Sequence, residues 1–271
     1  MPNQYLELVI DFEGELIAFG HEINNCSDVG PGMIWRSSDG GTTWQHAVTL
    51  SAAGPGHWMD TTTTGGRVLA TTAGTSGVRV WLSDDGLEWR GPSGNGPARR
   101  YLGGLNEVVV SSNATYEEEV TVMTSSDRGE SWEEVALELR GEFRPSFAAN
   151  NGLLVGVFSE FERAWPMTTQ DGLTWTVAEE PLQTDVDKVV AVPGGFLSLS
   201  NRGSTYLSAD GLDWFAGPPQ RMLTDDRGIR GAVADGVGVL LFTMDFRNAR
   251  QYDEHLWFAP IGAFDPFWST D

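Results

Sequence analysis

The chain has 271 residues, with 33 glycines, 13 prolines and 11 tryptophans spread from end to end, which predicts one repetitive architecture rather than two unlike domains. A hydrophobic fraction of 40% and an aromatic fraction of 11% suffice for a large core and exclude intrinsic disorder despite a net charge of −21. The balance of 38 acidic to 17 basic residues argues against nucleic acid and anionic membrane surfaces as partners, and the longest apolar stretch falls far short of the roughly 20 residues a spanning helix needs.

At the N-terminus, Met1-Pro2-Asn3-Gln4-Tyr5 carries no basic segment followed by an apolar one. A secretory signal is therefore expected to be absent or already removed, and the compartment stays open. Cys26 is the only cysteine, which excludes an internal disulfide framework and a cysteine-only metal cluster. His21, His46, His57 and His255 lack metalloprotease spacing, and no glycine-rich phosphate loop opens a helix. No metal and no cofactor are expected.

Short β-type runs follow one another along the chain. The first repeat is predicted to hold strands at 5–11, 15–21, 33–37 and 43–48. Later repeats begin at 57–62, near 100–105, near 144–149 and near 187–192. A sixth repeat holds strands at 229–234, 238–243, 255–259 and 264–268.

Within the first five repeats a motif recurs between two runs. It reads Ser37-Ser38-Asp39-Gly40-Gly41-Thr42-Thr43-Trp44, Ser83-Asp84-Asp85-Gly86-Leu87-Glu88-Trp89 and Ser125-Ser126-Asp127-Arg128-Gly129-Glu130-Ser131-Trp132. Two more copies are Thr169-Gln170-Asp171-Gly172-Leu173-Thr174-Trp175 and Ser208-Ala209-Asp210-Gly211-Leu212-Asp213-Trp214. The tryptophans at 44, 89, 132, 175 and 214 lie 45, 43, 43 and 39 residues apart, the length of a four-stranded propeller blade. Hydroxyl and carboxylate side chains bond a turn's own amides, glycine accepts positive φ, and tryptophan covers the neighbouring hairpin. The motif is thus predicted to be a turn.

These residues resemble the Asp-box, or BNR repeat, of sialidases and related β-propellers. The resemblance implies an all-β, six-bladed propeller over residues 1–271, with four antiparallel strands per blade. It places Asp39, Asp85, Asp127, Asp171 and Asp210 on the turns between the third and fourth strands, in a structural role opposite the ligand-binding mouth. It also implies an extracellular or cell-surface setting, and a monomer is expected.

The same geometry puts twelve of the seventeen cations on or near the mouth, among them Arg100, Arg144, Lys188, Arg227 and Arg230. Guanidinium forks grip carboxylates and sulfates, so an anionic glycan is the expected ligand; pairing with nearby carboxylates such as Glu142 and Asp187 is the plainer role. Trp58 and Tyr101 are candidates for stacking on a sugar, with core packing as the alternative.

The first repeat also resembles the opening of a bacterial sialidase, which makes Asp28 the candidate general acid/base. Gln4 stands where that family has the first arginine of its carboxylate-gripping triad, so ordinary sialidase activity is not expected. Tyr252 with Asp253 or Glu254 is the first candidate nucleophile and base pair, and Tyr116 with Glu117, Glu118 or Glu119 the second. Asp28 could instead pair with Asp60, Glu160 or Asp187 in another glycosidase. Two functions follow: a carbohydrate-recognising, possible glycoside hydrolase propeller, or a non-catalytic propeller for a protein partner or assembly.

Overall fold

The computed structural model describes residues 3–25, 28–74, 77–91, 101–112, 120–137, 139, 144–160, 162–217, 227–234, 238–245 and 253–260. The chain divides into two compact units. The first comprises Met1–Asn113 with Thr121–Leu137, and the second Ala114–Val120 with Glu138–Asp271.

In the first unit, β1 (Asn3–Phe12), β2 (Glu15–Asn25), β3 (Asp28–Ser37), β4 (Gln45–Thr64), β5 (Arg67–Gly74) and β6 (Gly77–Ser83) form one six-stranded antiparallel sheet in sequence order. Strand β4 serves two meanders. Its first part pairs with β3 and residues from Gly56 onward pair with β5. The separately predicted strands at 43–48 and 57–62 are therefore ends of one continuous strand, in which the outer edge of one meander feeds the inner edge of the next. The second meander closes with a bridge between Leu82 and Arg90, whose two N···O distances are 2.9 and 2.8 Å. A third meander contains β7 (Tyr101–Leu105), β8 (Val108–Ser112), β9 (Thr121–Ser125) and β10 (Glu133–Ala136).

The second unit repeats the plan. One sheet holds β11 (Arg144–Asn150), β12 (Leu153–Glu160), β13 (Arg163–Thr169) and β14 (Thr176–Val177). The next holds β15 (Lys188–Val192), β16 (Gly195–Leu199), β17 (Thr205–Ser208) and β18 (Phe215–Ala216). Then β19 (Arg227–Ala234), β20 (Gly238–Asp245) and β21 (Asp253–Pro260) form a three-stranded sheet, and the fourth strand predicted at 264–268 lies outside the described residues. Among the described residues the fold is all-β, built from five four-stranded antiparallel meanders that resemble propeller blades and one three-stranded sheet.

Within each unit, cores lie between consecutive meanders. Phe196 joins Val155, Val157 and Val189 on one face of the β15–β18 sheet, while Leu197, Leu199, Val190 and Val192 join Ile229, Val239 and Leu241 on the other. Successive residues thus point to opposite cores, which explains why Val189-Val190-Ala191-Val192 is a continuous apolar run: a sheet covered on both faces leaves no polar side. The same division sends Val68 and Ala70 to one core of the first unit and Leu69 to the next.

The five Asp-Gly turns close on themselves. In the longer form, Asp39 Oδ1 accepts the Thr43 amide at 2.8 Å and its Oδ2 the Thr43 hydroxyl at 2.6 Å. Asp127 does the same with Ser131. In the shorter form, Asp85, Asp171 and Asp210 each accept amides two and three residues on. Four turn tryptophans, Trp89, Trp132, Trp175 and Trp214, donate Nε1–H to the carbonyl of the turn glycine and are half-buried. At the same end of the first unit, buried Arg67 bonds Asp84 at 2.6 Å, Glu130 at 2.8 Å and the Arg128 carbonyl at 3.0 Å. That network holds the Asp84 carboxyl below its usual range.

These turns set an acid limit. The Thr43 hydroxyl and amide, with Ser37, hold the Asp39 carboxyl at about 2. Burial raises that of Asp127, but bonds from the Ser131 hydroxyl and amide and from Ser125 outweigh it and give about 2. Because both values are depressed below the unfolded carboxylate range, the stabilisation is complete above about pH 4 and disappears as pH falls through about 2. Thermal unfolding followed between pH 5 and pH 2 should show the melting temperature falling below pH 4. In the Asp39→Asn, Asp127→Asn double variant that fall should be shallower; an unchanged slope would remove the turns from the acid response.

Candidate functional site

The inner strands are β1, β4 from Gly56 onward, β7, β11, β15 and β19; those in sheets with an Asp-Gly turn begin at the end opposite that turn, and within each unit this end carries the polar clusters. Adjacent inner strands are joined by side chains instead of by backbone pairing. The Trp58 amide of β4 donates to Glu7 Oε2 of β1 at 2.7 Å, and the Leu102 amide of β7 donates to Asp60 Oδ2 of β4 at 2.9 Å. In the second unit, the Val189 amide of β15 donates to Ser146 Oγ of β11 at 2.9 Å. An inner strand has an exposed edge, so these acceptors satisfy amides that would otherwise lack a partner. Asp60, a candidate catalytic partner by sequence, here has a clamping geometry, with its Oδ1 also accepting the Thr61 amide at 3.0 Å.

Glu7 reaches β4 because β1 has a bulge between Leu6 and Leu8, which leaves Glu7 outside the ladder with β2. Its other oxygen lies 2.6 Å from His57 Nδ1, and Oε2 lies 3.4 Å from His21 Nδ1. The two imidazole rings meet edge to face with centroids 5.0 Å apart. His21 is buried, Glu7 is largely covered and the His57 side chain is 53% exposed, so this cluster is open on one side. One ligand atom from each of the three residues lies within 4.8 Å of the others. The spacing of these histidines along the chain shows no metal signature, because a bulge and two neighbouring strands are what bring them together.

In the second unit the polar cluster surrounds Asp187, immediately before β15. Its Oδ2 accepts the Asn201 amide at 2.7 Å and its Oδ1 the Asn201 side-chain amide at 2.6 Å. Asn201 Oδ1 in turn accepts the Ile229 amide of β19 at 2.7 Å. Ser200 donates to Asp185 Oδ1 at 2.9 Å. Burial pushes the Asp187 carboxyl up; the Asn201 amide opposes this, the Asp185 charge reinforces it, and Arg144 and Lys188 oppose it. The raised carboxyl lies among opposing charges, with both its oxygens accepting from Asn201 and with exposed Arg144 and half-buried Lys188 nearby.

The remaining sequence candidates are distributed as follows. Trp58 is buried in the core at 4% exposure, its Nε1–H donates to the Gly20 carbonyl at 2.8 Å, and no broad ring face is left for a sugar. The ring is large and apolar, and the core between the first two meanders is where it packs. Tyr101 is half-buried at the start of β7. The Asp28 backbone opens β3 opposite Asn25, Glu254 lies on β21 opposite Met244, and Gln4 pairs with Glu22. Arg230 occupies a bulge in β19 between Ile229 and Gly231. Arg100 and Tyr252 lie outside the described residues.

No family model matches this sequence, and comparison with curated proteins finds no match. Solved structures do resemble it. The chain is similar to YCF48 bound to D1 peptide, with TM-score 0.57 and 14% identity over 93% of this chain and 81% of the other. It is similar to a Trypanosoma rangeli sialidase in complex with 2,3-difluorosialic acid, with TM-score 0.63 and 14% identity over 98% of this chain. That match spans about half of the sialidase, 55% of its length. An Aleuria aurantia lectin in complex with α-methyl-L-fucoside aligns with TM-score 0.55 and 11% identity over 94% of both chains. At such identities the likeness concerns architecture alone, and the architecture it identifies is the β-propeller.

Proposed function

We propose that this chain is a six-bladed Asp-box propeller that recognises an anionic carbohydrate at the end of its inner strands, without ordinary sialidase activity. The observation that carries the reading is the row of cations in the second unit. Arg144, Lys188 and Arg227 each begin one of the inner strands β11, β15 and β19, with β15 packed between the other two. The rest of an acidic surface repels an anion, so a ligand of that charge is steered to this end.

Titration with uronic-acid or sulfated oligosaccharides at two ionic strengths tests the proposal. Binding to the wild type should weaken with salt, and Arg144→Ala should weaken it by about ten- to a hundredfold, as for loss of one charged hydrogen-bonding contact. Equal binding by both proteins, or no binding at all, would favour the alternative of a non-catalytic propeller for a protein partner. If a screen of chromogenic glycosides finds turnover, Asp28→Asn should reduce it by about a hundredfold or more, as for a positioned general acid. Robust turnover of a fluorogenic sialoside would contradict the expectation drawn from Gln4.

A further inference from the structure

From the geometry of Glu7, His21 and His57 we infer that the first unit binds a divalent transition-metal ion between its first two meanders, with zinc as the representative ion. None of its residues belongs to the cation row at β11, β15 and β19. Two imidazole nitrogens and one carboxylate oxygen form a donor set that suits zinc and its first-row neighbours and disfavours magnesium and calcium, which take oxygen ligands.

The separations fit. The contacts from Glu7 oxygens to the Nδ1 atoms of His57 and His21 are 2.6 and 3.4 Å, and all three ligand atoms lie within 4.8 Å. A tetrahedral ion with bonds of about 2.1 Å separates its ligands by roughly 3.4 Å. A small movement of exposed His57 away from Glu7 would therefore seat the ion. The other two ligands already have fixed positions. His21 is buried on β2, which is paired on both sides, and the Trp58 amide holds Glu7 Oε2 at 2.7 Å. That bond orients the carboxylate from behind, as outer partners of metal ligands do.

Three protein ligands leave a fourth coordination position. Because His57 is the solvent-facing ligand, the fourth position opens on its side and would hold water or a ligand oxygen. His57 lies on β4 and the other ligands on β1 and β2, so the ion would also tie the inner strand of the second meander to the first.

Equilibrium dialysis against Zn²⁺ with metal analysis, and Co²⁺ titration read by visible absorption, test the inference on the intact chain. The wild type should hold one equivalent and give the intense bands of low-coordinate Co²⁺. His57→Ala, a change at an exposed side chain, should weaken binding by at least about a hundredfold, beyond the usual effect of losing an outer partner. His46→Ala should match the wild type, since His46 bonds Thr49 at 3.0 Å and is exposed elsewhere on the sheet. Less than one equivalent in the wild type, unchanged binding in His57→Ala, or loss of binding in His46→Ala would each overturn the site. Circular dichroism of each variant verifies that it is folded, and oligosaccharide binding is read separately, so the two proposals fail independently.

Discussion

Replacing Trp58 with alanine is expected to lower the unfolding free energy of the first unit by about 3–5 kcal/mol, the largest loss foreseen for any single side chain here. The indole packs against Phe19 with centroids 4.9 Å apart and planes tilted by 59°. It belongs to the cluster that contains Ile17, Ile34, Val68 and Trp81. The chain makes room for it at Gly32, where an added Cβ would lie 3.2 Å from the ring. Truncation would open a cavity between β2, β3 and β4 and also remove the donor to the Gly20 carbonyl. Trp58→Phe retains most of the packing and loses mainly that hydrogen bond, at a cost of about 1–2 kcal/mol. Denaturant titration separates these outcomes, and a loss below about 1 kcal/mol for the alanine variant would refute the packing role. Glycan affinity should be the same in Trp58→Phe as in the wild type; a large drop would restore the sugar-stacking role.

What the sequence made legible was local chemistry. Each Asp-Gly turn closes within five residues, so Ser37 to Thr43, and the four later copies, could be read as turns from composition alone. The exception is Trp44, which has the motif but remains 39% exposed. In three of the four later copies the turn glycine abuts the preceding meander: Gly86 meets Ile17, Gly129 meets Leu69 and Gly211 meets Val155. Gly41 instead meets Leu16 of its own meander, so its tryptophan has less to cover. The placement of Arg144 and Lys188 at strand starts was legible for the same reason, being a matter of register. The Glu7–His21–His57 cluster was not, because it depends on a bulge and on contacts between strands distant in sequence. Nor could composition reveal that Asp60 would clamp β7; an acidic residue reads alike whether or not its oxygens are already bonded.

The turn packing leads to the second large effect, Gly211→Ala, expected to cost about 2–5 kcal/mol. Two terms add. Gly211 has φ of +79°, a left-handed conformation in which an L-residue costs about 1–2 kcal/mol. A Cβ there would also lie 2.4 Å from Val155 Cγ2 and 2.9 Å from Thr168 Cγ2, and relieving such overpacking costs about 1–3 kcal/mol. Val155 is fully buried and fixed in the β12 ladder, so it is the turn that must yield. That displacement would strain the bonds from the Asp210 carboxylate to the Leu212 and Asp213 amides and from Trp214 to the Gly211 carbonyl. Gly152 supplies the control within the same unit: its φ is +76°, yet nothing lies within 4 Å of its added Cβ, so Gly152→Ala should show the backbone term alone. Equal losses for the two variants in denaturant unfolding would mean that the turn does not pack against β12 as described, whereas an excess of at least about 1 kcal/mol at Gly211 measures the contact that joins one meander to the next.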